Sequence, residues 1–202
     1  KDGWEIKKFE NCIGKIPKPQ QLKTSEYKLE GRYPIVSQES SIISGYTDYE
    51  DYVYHIPKPI VIFGDHTRVL KYVDFDFAVG ADGVKILIPT NDINSKFFYY
   101  FLRWYNVPSL GYSRHYKLLK DIHIPVPPLP EQEKIVSELD CLSGIIEKKR
   151  QQLKELDALA QSIFYEMFGN PDDGKYPLRK LSSLSESKLS YGSGASAVEY
   201  NG

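Results

Sequence analysis

Asp65 and His66 stand side by side in Gly-Asp-His-Thr-Arg (64–68), directly after the apolar run Pro-Ile-Val-Ile-Phe. A carboxylate beside an imidazole, in a loop leaving a strand, is a pair able to move a proton. Proton transfer alone does not make an enzyme. A nucleophile and an oxyanion site would have to converge on the pair, and the sequence supplies neither. His66, Thr67 and Arg68 read better as loop donors, hydrogen-bonded outward to a ligand or inward to the turn.

Two further loops carry groups suited to recognition. GYSRHYKLLK (111–120) interleaves Tyr112, Ser113, Arg114, His115, Tyr116 and Lys117. Arg and Lys can hold phosphates or a guanine edge, while hydroxyls and rings can meet sugar, base or methyl groups. SQESS (37–41) offers Ser37, Gln38 and Ser40, with Gln38 able to read adenine in a bidentate manner. From the residues alone, each segment is as well explained by a solvated loop. His55, His66, His115 and His123 are scattered, with no His-x-x-x-His or Cys-paired spacing, so no metal is expected. Asp172, Asp173 and Lys175 faintly resemble the acidic and lysine pattern of metal-dependent nucleases, but they follow a helix stop among turn formers and read as a linker. No Gly-rich phosphate loop precedes a helix, and no Asn-Pro-Pro-aromatic element marks an adenine methyltransferase. The expectation is no cofactor and no catalysis.

The 202 residues, 41% hydrophobic and 26% charged with a net charge of −1, are those of a globular protein. No apolar run approaches the ~20 residues that span a bilayer, so no membrane association is expected. Cys12 and Cys141 are too sparse for a disulfide framework, which suits a reducing cytoplasm. The net charge hides an asymmetry: residues 1–128 carry 17 Lys and Arg against 15 Asp and Glu, while residues 131–168 carry 5 against 8. A mildly basic front precedes an acidic rod, so any nucleic-acid contact must come from a local patch. The chain opens on Lys-Asp-Gly-Trp without Met or a signal-like stretch, from which we expect a piece of something longer.

The elements that would position these loops are legible in outline. RYPIVS (32–37), PIVIF (59–63), TRVLKYV (67–73) and VKILIP (84–89) are short β-branched runs bounded by Gly, Asp and Pro. NSKFFYYFLRWYN (94–106), with an Asn or Ser cap, predicts a helix buried against the sheet. From residue 131 to 168, Ile135, Leu139, Leu142, Ile146, Lys149, Leu153, Leu156, Ala160, Ile163 and Met167 alternate spacings of four and three, which is a heptad seam interrupted by one charge. Pro130 suits the first helical position, and Gly169 with Asn170-Pro171 supplies the stop. Such a rod, roughly 57 Å long at 1.5 Å per residue, is too long to be covered by the front domain, so its seam must meet another long helix. Trp4-Glu5-Ile6-Lys7-Lys8-Phe9 lines up with Tyr176-Pro177-Leu178-Arg179-Lys180-Leu181, a weak repeat that chance explains as well as a front domain beginning again.

IPVPPLPEQEKIVSELD (124–140), FYEMFGNP (164–171) and GDHTRVLKYVDFDFAVGADGVKILIP (64–89) together resemble the specificity subunit of type I restriction-modification systems. The resemblance implies a mixed α/β (α+β) target recognition domain at 1–128, a long coiled-coil-forming spacer helix with a Pro-rich approach at 129–170, and a linker with the start of a second, truncated recognition domain at 171–202. It also implies double-stranded DNA and the methyltransferase and restriction subunits as partners. The DNA contacts expected on loop position and chemistry are Ser37, Gln38, Ser40, His66, Thr67, Arg68, Tyr112, Ser113, Arg114, His115 and Lys117. A seam without a partner in its own chain predicts a homodimer of antiparallel helices. The rival readings are a DNA-modifying or DNA-cleaving enzyme and a coiled-coil scaffold.

Overall fold

Pro-Ile-Val-Ile-Phe lacks the alternation of a half-exposed strand, and its apolar run predicts cover on both faces. The structure, a computed structural model, describes residues 3–16, 19–81, 83–111, 113–170 and 179–184. Its strands are β1 (Glu5–Lys8), β2 (Tyr33–Val36), β3 (Gly45–Thr47), β4 (Val53–Tyr54), β5 (Ile60–Gly64), β6 (Leu70–Val73), β7 (Phe77–Val79), β8 (Val84–Leu87) and β9 (His123–Val126). The helices are α1 (Ser95–Tyr105), α2 (Tyr116–Lys120) and α3 (Leu129–Phe168). Two compact units divide the chain, residues 1–144 and residues 145–202.

In the first unit β5 is the middle strand of an antiparallel sheet ordered β6-β5-β8. Val61 and Phe63 on one face pack with Phe97, Phe98 and Leu102 of α1. Ile60 and Ile62 on the other pack with Val36, Phe77 and Val79 of a second sheet, ordered β3-β2-β7-β4. The strand is apolar throughout because it separates two cores, and each such side chain contributes about 1.5–3 kcal/mol relative to exposure. The mixed architecture expected from the sequence holds, with helix, sheet and sheet stacked through β5.

The element ends have local causes. β6 begins at Leu70, not at Thr67, because Arg68 adopts a left-handed φ of 61° and returns its N–H to the Gly64 carbonyl at 2.8 Å. Asn94 caps α1 by accepting the Lys96 and Phe97 N–H groups at 2.9 and 3.1 Å, and Asn106, at φ 46°, ends it. GYSRHYKLLK contains a short helix, α2, where the sequence predicts only loop. β1 and β9 form a separate antiparallel pair that sets Ile6 opposite Pro125.

The root of α3 is fastened to this first unit. Gln132 is fully buried; its Nε2 donates to the Asp92 and Pro127 carbonyls at 2.9 and 2.7 Å, and its Oε1 accepts the Asn94 N–H at 2.8 Å. Trp4 Nε1 donates to Glu131 at 3.0 Å. Ile135 and Val136 pack against the core around Phe98, and Asp140 meets Lys96 Nζ at 2.8 Å and the Tyr100 hydroxyl. Burial pushes the Asp140 carboxyl up, but these two donors together hold it below the usual range. Gln132, Val136, Asp140 and Ser143 recur at helical spacing, so one stripe of α3 makes the joint.

Farther along, Leu139 is partly buried and Leu142 is exposed. In the second unit Ile146, Lys149, Leu153, Leu156, Ala160, Ile163 and Met167 are all exposed, as are Leu159, Phe164 and Phe168. Gly169, at φ 72°, closes the helix with its N–H on the Tyr165 carbonyl at 2.8 Å. The repeated start at 175–202 and the Asp172–Lys175 turn lie outside the described residues, apart from 179–184. Among the described residues no helix is long and apolar enough to cross a membrane, and no group of three or more His, Cys, Asp or Glu is placed to hold a metal ion.

Candidate nucleic-acid interface

Three of the polar loops singled out above come together, and two residues join them. Asp65, 2% exposed, receives the Tyr116 N–H on Oδ1 at 2.8 Å, faces Lys85 Nζ at 3.6 Å and sends its own N–H to the Gly83 carbonyl at 2.7 Å. Its carbonyl accepts the His115 N–H at 2.8 Å. His115 is itself buried. Leu110 N–H donates to Nε2 at 3.0 Å, so the ring proton sits on Nδ1 and donates to the Asp65 carbonyl at 2.9 Å. The imidazole thereby acts as a brace between 64–68 and 111–117.

Gln38 is the second joint. Its Oε1 accepts the His66 N–H at 3.2 Å and its carbonyl accepts the Thr67 hydroxyl at 2.5 Å. The side chain lies across Gly83, where a Cβ would fall 2.4 Å from Oε1; with φ at +96°, that position suits glycine on both counts. Ser37 is buried, sharing a hydrogen bond with Ser44 Oγ at 2.7 Å and accepting the Glu39 N–H at 3.1 Å. Ser40, Thr67, Arg114 and Lys117 are exposed, while His66, Arg68 and Ser113 are partly buried. Arg68 donates Nη1 to the Val107 carbonyl at 2.9 Å. Tyr112 lies outside the described residues. The expected contacts thus divide into side chains that face solvent and side chains, Ser37, Gln38 and His115, that knit the loops together.

Beside the loops a groove of about 400 Å³ is lined by Arg114, Lys85, Tyr116, Gln21 and Asp65. Lys85 Nζ lies 5.5 Å from the Tyr116 ring centre, within cation–π reach. Sequence reasoning passed over Lys85 because it sits inside a strand. The signal was there in Val84-Lys85-Ile86, where alternation sets Lys85 on the opposite face from Val84 and Ile86.

Lys71 is the other residue missed. It is 3% exposed on β6, yet it donates to the Ser37 carbonyl at 2.8 Å and the Ser41 carbonyl at 2.5 Å. No carboxylate pairs with it among the described residues, and burial lowers its pKa from 10.5 to about 8. Between those values the unfolded chain holds a proton that the folded chain has lost, so this group makes stability rise with pH. Tyr27, Tyr72, Tyr116 and Cys12, whose pKa values burial raises, act in the opposite sense. The difference in unfolding free energy between wild type and Lys71→Met should therefore grow in favour of wild type from about pH 8 to 10.5, by at most about 1.4 kcal/mol per unit. Parallel urea-denaturation curves across that window would contradict the assignment.

The first unit thus gathers polar loops on a two-sheet scaffold and braces the root of a long helix through a proline-rich joint, the build of a binding module. Residues 1–158 match the family described as the type I restriction modification DNA specificity domain, and the chain belongs to that family. It is 29% identical over 153 residues to the Type I restriction enzyme EcoR124I/EcoR124II specificity subunit of Escherichia coli, covering 66% of this chain and 37% of that protein. The crystal structure of the HsdS subunit from Thermoanaerobacter tengcongensis superposes with a TM-score of 0.54 at 21% identity, over 84% of this chain and 46% of that one. The type I restriction-modification S subunit of M. genitalium gives 0.57 at 18% identity, over 84% and 47%. These two likenesses show a shared fold. The chain spans less than half the length of the relatives it matches.

Proposed function

We propose that this chain is a non-catalytic DNA-reading part of a cytoplasmic type I specificity subunit, binding one half of a bipartite duplex site and positioning methyltransferase and restriction subunits over it. The observation that carries this reading is the convergence of the 37–41, 64–68 and 111–117 loops on Asp65 and Gln38, with Ser40, Thr67, Arg114 and Lys117 left facing solvent. Lys117, Arg114 and Lys85 hold phosphates in a salt-dependent way, and the loop tips read base edges. Both carboxylate oxygens of Asp65 are engaged by Tyr116 and Lys85, which counts against its use as a proton-transfer partner of His66. α3 serves as the spacer, and in this chain its exposed seam pairs with the same seam of a second copy.

Selection from random duplexes by the chain together with its methyltransferase partner tests this reading, with enrichment of a half-site as the expected outcome. No enrichment, or turnover of the DNA by the chain alone, would overturn it. Arg114→Ala is expected to weaken the enriched site by about 1–3 kcal/mol, the value of a bidentate guanine contact, and random duplex much less. Equal loss on both would make Arg114 a phosphate contact.

A further inference from the structure

Lys71 remains unexplained by stability. A buried ammonium with no paired carboxylate is costly, and an apolar side chain of similar length would fill the same space between the sheets without that cost. What the ammonium does is confined to one place. The carbonyls of Ser37 and Ser41 stand four residues apart in a loop with no helical ladder to satisfy them, and Lys71 Nζ bonds both. Most other ties on this loop also grip its shoulders: Ser37 to Ser44, Ser44 N–H to the Ile35 carbonyl, and Gln38 to His66 and Thr67, while the Glu39 N–H is held by Ser37 Oγ. Glu39 and Ser40, at the tip, keep exposed side chains.

From this geometry we propose that Lys71 is a positioning residue for sequence reading, drawing the two shoulders of the 37–41 loop together from beneath so that its tip is presented in one shape. The role rests on the DNA-reading assignment above. Lys71 is buried and cannot itself reach DNA, so any effect of its replacement on recognition must pass through the loop. Preorganisation of this kind acts on selectivity: a loosened tip still meets phosphates, but it loses the registration that a base edge demands.

The test uses the full chain, with fluorescence anisotropy on a selected duplex and on a random duplex of equal length. For Lys71→Met, the thermal midpoint should change little, because relief of the buried charge offsets the loss of the two hydrogen bonds and the loosened loop can turn its carbonyls to water, and binding to random duplex should be unaffected. The ratio of the two affinities should fall about tenfold, equivalent to about 1.4 kcal/mol, and the amides of 38–41 should exchange faster with solvent. Should that variant fail to fold, Lys71→Gln, whose amide can still donate to one carbonyl, is expected to lose part of the ratio. A folded variant of either kind with an undiminished ratio overturns the role of Lys71 alone. Wild-type protein that prefers no duplex over random overturns the DNA-reading assignment, and the role of Lys71 with it.

Discussion

Replacing Gln132 with leucine is expected to lower the unfolding free energy of the first unit by about 3–5 kcal/mol, the sum of the buried partners left without a hydrogen bond. Leucine matches the volume of the side chain, so the loss is not one of packing. It strands the Asn94 N–H and the Asp92 and Pro127 carbonyls at once, around a side chain that is itself fully buried. Against a typical domain stability of about 5–15 kcal/mol, that is a large fraction. Gln132→Glu is the sharper control: a carboxylate can still accept the Asn94 N–H, but its other oxygen would face two carbonyls, so it should be at least as harmful. Urea midpoints read the loss at constant m. A drop below about 1 kcal/mol would mean that water replaces the side chain, since a bridging water is nearly as good as a direct bond.

Gln132 also shows where sequence reading reaches its limit. The proline run and the helix after it were legible because proline restricts φ and the heptad seam repeats over many turns. β2, β5, β6, β8 and α1 were legible from apolar runs bounded by turn residues, whereas β1 and β9, also four residues each, were not. What fastens α3 to the domain was not legible, since a glutamine in a helix has no periodic signature and its three partners lie 5 to 40 positions away. β3, β4 and β7 are two or three residues long and owe their pairing to neighbours rather than to propensity. The site divides in the same way. Loop position and residue type found the three loops that converge, but could not separate Gln38 and His115, which turn inward, from Ser40 and Arg114, which face out. Lys71 was invisible because a charged residue in a strand reads as a solvent-facing one until the opposing loop is placed over it.

The second large effect is expected on assembly. In the second unit Leu153 and Leu156 are 63% and 60% exposed, and the seam side chains of residues 145–168 are exposed among the described residues. A helix of that length is marginal alone in water, so its order depends on what its apolar face meets. If the occupant is a second copy, replacing Leu153 and Leu156 by lysine removes two seam contacts. It also adds positive charge beside Lys148, Lys149, Arg150 and Lys154, a stretch that already repels its own kind when two such helices run together. Sedimentation should then show wild type as a dimer and the variant as a monomer, with helical circular dichroism falling in wild type on dilution and already low in the variant. The first unit should stay folded, because the joint at Gln132 and Asp140 lies within it. A wild-type chain that is monomeric at micromolar concentration and keeps its full helical signal would refute self-association through the seam, leaving that face for a helix of different sequence.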